Sequence, residues 1–441
     1  MATDISRKLV VPEPSLPEVH ASVRVSGSPL YWRRLLGFLG PGFLISVGYM
    51  DPGNWATDIA GGSQFGYTLL FVIMISNLMA ILLQSLSLKL GVATERDLAQ
   101  LCRESTGRTG GAVLWLMAEI AIAACDMAEV IGSAIALNLL FHIPLFWGVL
   151  ITGLDVLLIL LLQRWGFRTV EAIVIALIGT ILALFVIQTV LSRPEYGAAL
   201  GSLFIPSPVI LTDRRVLFIA IGMLGATVMP HNLYLHSSIV QSRRYKRTRE
   251  GKREAIKMAN IDSALALTIA LFVNAAILVV AAAVFHRSGH FEVGAIEDAY
   301  KLLSPLVGAG FASTLFAVAL LASGQNSSIT GTLAGQVVME GFIHMKVAPW
   351  LRRLITRTIA IVPTIVVVAF YGEHGTEKLL LLSQVILSLQ LSFAVIPLVM
   401  FTNSRKHMGE FVNAPWQKGL AWVVAAVIAG FNGWFLVLMA K

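Results

Sequence analysis

Two short motifs put reactive residue types inside stretches that are otherwise apolar. Asp51-Pro52-Gly53-Asn54 interrupts the run from 36 to 66, and Met229-Pro230-His231-Asn232 interrupts the run from 215 to 241. Proline removes a backbone donor and glycine loosens a helix, so both helices should unwind at these points and free carbonyl oxygens. Asp51 is a carboxylate in the middle of an apolar helix, which costs about 2.5–3.5 kcal/mol on insertion scales. Asn54, three residues on, returns to the same side and offers an amide oxygen. The second break adds the thioether of Met229 and freed carbonyls such as that of Ala226. Calcium and magnesium prefer shells made only of oxygen. One hard anionic oxygen, neutral oxygens and a soft sulfur instead suit a first-row transition ion such as Mn²⁺ or Fe²⁺. A lone methionine in a helix is usually packing; beside a proline break and opposite Asp51, it reads as a ligand.

The elements that carry these motifs must lie in a bilayer. Of 441 residues, 56% are hydrophobic and only 13% charged, with a mean hydropathy of +0.78. Soluble domains hold roughly 25% charged residues, so a water-facing globule is excluded, and so is a disordered chain. Two cysteines, Cys102 and Cys125, are too few for a disulfide scaffold. The net charge of +8 comes without a basic stripe interleaved with aromatics, so nucleic acid is not an expected partner. Apolar segments recur at about 36–66, 67–92, 112–140, 145–163, 170–191, 215–241, 261–285, 311–342, 357–371, 379–401 and 418–440. Most reach the ~20 residues that a spanning helix needs. The chain reads as an all-α polytopic membrane protein with eleven transmembrane helices.

Lysine and arginine placement sets the expected orientation. With a cytoplasmic N-terminus and alternating helices, 25 basic residues fall inside and seven outside, with Lys89 within a helix. The densest inner cluster is the loop from Arg243 to Lys257, read as a topology determinant. The N-terminus is therefore expected in the cytoplasm and the C-terminus outside the cell or in the periplasm. The first residues hold Pro12, Pro14 and Pro17 and no apolar core of a signal peptide. Residues 1–35 are expected to be a disordered cytoplasmic tail. The expected organisation continues with five helices over 36–191, an outer loop at 192–214, five helices over 215–401, and a cytoplasmic loop with the eleventh helix at 402–441. In that scheme helices one and six are equivalent. Paired interrupted segments in two halves point to an inverted-repeat transporter with its site at the breaks.

At these residues the chain resembles the Nramp family of proton-coupled divalent-metal transporters, specifically its bacterial manganese branch. The stretch 51–54 and the triplet Met229-Pro230-His231 match the family's two metal-site motifs without a departure. A third match runs from Ala322-Ser323-Gly324-Gln325-Asn326 to Thr332, followed by Gly335-Gln336 and Met339-Glu340-Gly341-Phe342. The resemblance spans about 36–440. It implies a LeuT-type fold of two inverted five-helix repeats plus an eleventh transmembrane helix. It implies metal binding by Asp51, Asn54, Met229 and the Ala226 carbonyl, with Gln384 on helix ten joining in some conformations. Mn²⁺ or Fe²⁺ and protons would be transported substrates, with no cofactor and no obligatory protein partner. The site would sit in a multi-pass protein of the plasma membrane.

Helix three carries Glu119, Asp126 and Glu129 with no lysine or arginine in its apolar span. Their spacings of seven and three put them on one helical face. By the resemblance, Asp126 and Glu129 belong to a polar proton pathway with Arg352 and Arg353 on helix nine. His231 adjoins the second break and has an unperturbed pKa near physiological pH, so it joins that pathway, which starts at Asp51. Glu119, Asp155, Glu171 and Asn274 read as packing or interhelical hydrogen-bonding groups. A Na⁺-coupled amino-acid symporter of the same architecture is the alternative, but Asp51 would repel a substrate carboxylate. A passive metal channel would need a continuous pore rather than one midplane site. No G-x-x-x-x-G-K-[ST] loop and no His-Glu-x-x-His motif occur, so neither ATP-driven nor metalloprotease chemistry is expected.

Overall fold

The protein is described by a computed structural model over residues 14–154, 165–343, 349–371 and 375–439. In chain order its helices are α1 (Tyr31–Phe38), α2 (Pro41–Val47), α3 (Pro52–Phe65), α4 (Leu70–Thr94), α5 (Leu98–Phe141) and α6 (Leu145–Gly153). Next come α7 (Phe167–Ser192), α8 (Tyr196–Phe204), α9 (Arg214–Thr227), α10 (Pro230–Ile239) and α11 (Arg249–Ala281). The chain ends in α12 (Ile296–Val307), α13 (Ala312–Ile343), α14 (Pro349–Tyr371), α15 (Thr376–Thr402) and α16 (Pro415–Met439). Among the described residues, seven helical stretches are long and apolar enough to cross a membrane. Their outer faces carry exposed apolar side chains such as Val186, Phe272 and Leu436, as lipid-facing helices do. The second half of the expected 145–163 helix, with Asp155, lies outside the described residues.

Both expected interruptions form, and for the same backbone reason. A residue before proline is driven out of the helical region. Asp51 accordingly sits at φ −70°, ψ 165° and Met229 at φ −76°, ψ 126°, each ahead of a proline at the first helical position. The first apolar run thus becomes α2, a single 3₁₀ turn at Gly48–Met50, and α3. The second becomes α9 and α10. Packed around this pair, α13 lies along α5 and α7, α11 crosses α2, α3 and α4, and α15 bridges α5 and α9.

Helix three is longer than its apolar core suggested. It starts at Leu98 on a capping box, in which Asp97 accepts from the Gln100 amide while Gln100 accepts from that of Asp97. It bends at Gly107, where φ is +71°, a value that glycine adopts without strain.

The tail expectation needs correction for residues 14–35. Leu16 and Val19 are buried, Ser15 donates to Asp97 at 2.5 Å, and Val23–Arg24 pairs in parallel with Arg243–Arg244. Proline-rich composition suggested disorder, but two apolar side chains and one strand pairing dock this segment. Arg243, at the start of the basic loop read as a topology determinant, is buried. It donates to Glu171 at 2.7 Å and to the Leu39 carbonyl at 2.8 Å. Asp262 of α11 accepts from the amides of Gly40 at 3.0 Å and Gly42 at 2.6 Å. Charged groups from α7, α11 and the strand thereby satisfy the orphan backbone groups where α1 ends and α2 begins, fixing the near side of the first break.

Candidate metal site

The first break supplies an anion. Asp51 is fully buried and forms no ion pair among the described residues. Its carboxylate caps α3, with Oδ1 accepting from the Asn54 amide at 2.8 Å and from Asn54 Nδ2 at 2.6 Å. The same Nδ2 donates to the Gly48 and Ala226 carbonyls, each at 3.2 Å. Three oxygens from two different breaks therefore converge on one positively polarised group, as they would on a cation. The Asn54 amide orientation is set by that hydrogen-bond network; turned over, its Oδ1 joins the oxygens around the same point.

Gly48 and Ala226 sit at the C-terminal ends of α2 and α9. Carbonyls there carry the negative end of a helix dipole, which favours a cation. The Met229 sulfur flanks them, since a methyl group added at Gly48 would lie 3.1 Å from Met229 Sδ. Gln384 closes the space between the breaks. Its side chain occupies the position that a Cβ on Gly53 would take, and its backbone oxygen lies 2.2 Å from where a Cβ on Gly225 would be.

The structure thus brings Asp51, Asn54, Ala226, Met229 and Gln384 together. It also adds the Gly48 carbonyl, which sequence reasoning missed because a backbone oxygen has no residue type to betray it. Cys125 on α5 was missed as well. Its thiol lies 3.9 Å from Asp51 Oδ2 and 3.7 Å from Glu129 Oε1, so it stands between the break and the carboxylates of helix three. Asp58, two turns into α3 from Asp51, is another buried carboxylate without a counter-ion among the described residues.

Asp126 and Glu129 face one spot on α13. A Cβ at Gly331 would lie 2.5 Å from Asp126 Oδ1 and 3.2 Å from Glu129 Oε1, so the glycine makes room for both carboxylates. Glu119 is buried on the same face. His231 is buried in the first turn of α10, with no hydrogen-bond partner for Nδ1 among the described residues. His236 contacts Gln84 Oε1 at 2.9 Å through Nδ1, and Gln84 in turn donates to Tyr49. Asn274 donates to the Tyr49 carbonyl at 2.7 Å, as an interhelical polar group should. Arg352 and Arg353 lie on α14, but their side chains fall outside the described residues.

Comparison with known proteins places this geometry. The Nramp profile, described as natural resistance-associated macrophage protein-like, matches residues 42–438. The divalent metal cation transporter MntH of Nostoc sp. (strain PCC 7120) is 61% identical over 424 residues, which cover 96% of each chain. A crystal structure of the Eremococcus coleocola manganese transporter superposes with a TM-score of 0.88 at 45% identity, covering 95% of this chain and 90% of that one. Mhp1, a nucleobase-cation-symport-1 family transporter, is only 13% identical but superposes with a TM-score of 0.62 over 91% of this chain and 92% of its own. That likeness concerns fold alone, and the fold is the LeuT type. With the family match running over nearly the whole of a multi-pass membrane chain, the protein belongs to the Nramp family.

Proposed function

We propose that this protein imports Mn²⁺ and Fe²⁺ across the plasma membrane by alternating access, driven by protons moving inward. The observation that carries the proposal is the uncompensated Asp51 carboxylate, buried at a helix break among carbonyl oxygens and a thioether. A buried anion without a cationic partner is unfavourable unless a cation or a proton joins it. The metal and the proton are thus competitors for one group, which is the simplest form of coupling. Oxygens alone would favour hard ions; the Met229 sulfur favours the softer transition ions.

In this reading a metal ion entering from outside displaces the Asp51 proton. The proton then leaves along the polar lining of Asp126, Glu129 and His231, completed by Arg352 and Arg353. Separate routes keep two cations from repelling each other in one narrow path. The basic-residue bias supports a cytoplasmic N-terminus and an outer C-terminus. The relatives are transporters, and nothing in the proposed cycle calls for a cofactor, a catalytic residue or a protein partner beyond lipid.

Proteoliposomes provide the test. Mn²⁺ uptake should rise with an inward proton gradient and should resist excess Ca²⁺ and Mg²⁺. Uptake indifferent to the gradient would overturn the coupling, and strong competition by Ca²⁺ would overturn the selectivity.

A further inference from the structure

We infer that Cys125 is a second sulfur donor of the metal site, one that favours thiophilic ions such as Cd²⁺ over Mn²⁺. This deepens the metal-transport reading and rests on it. Cys125 is fully buried in α5 and packs with Met229, Ala121 and Leu387 in one small cluster. Its sulfur is 3.9 Å from Asp51 Oδ2. A metal bonded to oxygen at ~2.1 Å and to sulfur at ~2.3 Å can touch both atoms across that gap at an open angle. The thiol therefore approaches the carboxylate from α5 while packing against Met229 of the second break.

The chemistry separates ions by softness. A hard, strongly hydrated ion gains little from sulfur, whereas a soft ion gains from each one. Thiolate, not thiol, is the strong ligand, so the S–H bond breaks as the S–metal bond forms. Glu129 Oε1, 3.7 Å from the sulfur, is placed to take that proton. Mn²⁺ then rests mainly on the oxygens, while Cd²⁺ draws in both sulfurs. The other cysteine, Cys102, is buried elsewhere in α5 and serves as an internal control.

The test uses full-length protein in detergent, with Cd²⁺ and Mn²⁺ themselves as probes. Addition of Cd²⁺ should produce a thiolate-to-metal charge-transfer band in wild type and in Cys102→Ser, and none in Cys125→Ser. Cys125→Ser should weaken Cd²⁺ binding about tenfold and Mn²⁺ binding less than about threefold, as loss of one soft donor implies. In the Cys102→Ser protein, Cd²⁺ should also shield Cys125 from a small alkylating reagent far better than Mn²⁺ does. That measurement keeps Cys125 intact and so does not depend on the variant folding. A band that survives Cys125→Ser, equal losses for both ions, or alkylation unaffected by Cd²⁺ would show that the cysteine only packs. Failure of wild type to bind either ion would instead overturn the transport reading itself.

Discussion

At the first break, the residue before the proline is an aspartate whose carboxylate caps the helix that follows. At the second it is a methionine that gives the next helix no side-chain cap. The backbones are alike, each turning extended for one residue before a proline-led helix. The side chains differ in kind. The first break contributes charge and ties that charge to the integrity of α3, because Asp51 Oδ1 serves both. The second contributes softness and free carbonyls and leaves its helix to stand unaided. In the proposed site, the two breaks thus divide affinity from selectivity.

Asp51→Asn breaks the comparison most sharply. Asparagine caps a helix about as well as aspartate, so α3 should persist while the charge is lost. Mn²⁺ affinity should fall at least about 100-fold, or about 2.8 kcal/mol, with a melting temperature close to wild type. Isothermal titration and a thermal scan on the same preparation check both. Asp51→Ala should lose the cap as well, destabilising the fold by about 1 kcal/mol.

The glycines beside the breaks come next. A Cβ at Gly225 meets the Gln384 backbone oxygen at 2.2 Å, whereas one at Gly53 meets only the Gln384 side-chain amide. Backbone yields less readily than a side-chain end. Gly225→Ala should therefore cost about 1–3 kcal/mol, as overpacking does, and should exceed Gly53→Ala in thermal shift. Gly53→Ala should act mainly on metal uptake, by displacing Gln384.

Met229→Leu keeps volume and removes only sulfur, a swap that usually costs under about 1.5 kcal/mol of stability. Competition binding should show Cd²⁺ weakened about tenfold with Mn²⁺ less affected, the mark of a lost soft donor. An unchanged Cd²⁺ preference would remove the sulfur from the account. Asp126→Asn and Glu129→Gln should have the smallest effect on metal affinity, within about threefold, because neither carboxylate is among the proposed ligands of Mn²⁺. Their effect should lie in the ratio of protons to Mn²⁺ moved, read by a pH dye and metal uptake in the same liposomes. Wild-type ratios in both variants would make helix three a structural seam.

Much of this arrangement was legible in the residues. Pro52 and Pro230 each lead a helix at a break, where a missing donor and a ring clash end the preceding turn, although Pro363 and Pro397 lie inside unbroken helices. Asp51 stands out because a carboxylate is misplaced in an apolar run, and Met229 because it precedes a proline break opposite that carboxylate. What was not legible depends on partners distant in sequence. Gly48 donates a backbone oxygen, which no residue type announces. Cys125 entered the sequence reading only as one of two cysteines, and the packing of α5 sets it beside Asp51. Arg243 was read only as part of the topology-setting basic loop, yet Glu171, 72 residues away, takes it into the interior. Val23 and Arg24 find a strand partner because the chain after α10 returns beside them. Gln384 was named through family resemblance; nothing in its own neighbourhood singles it out.

The central claim is that both breaks hold one ion between them. Anomalous diffraction from crystals grown with Mn²⁺ tests it directly. A single strong peak is expected within bonding distance of Asp51, the Ala226 carbonyl and Met229 Sδ, and it should be lost in Asp51→Asn. A peak that contacts only one of the two breaks, or one that persists in the variant, would contradict it.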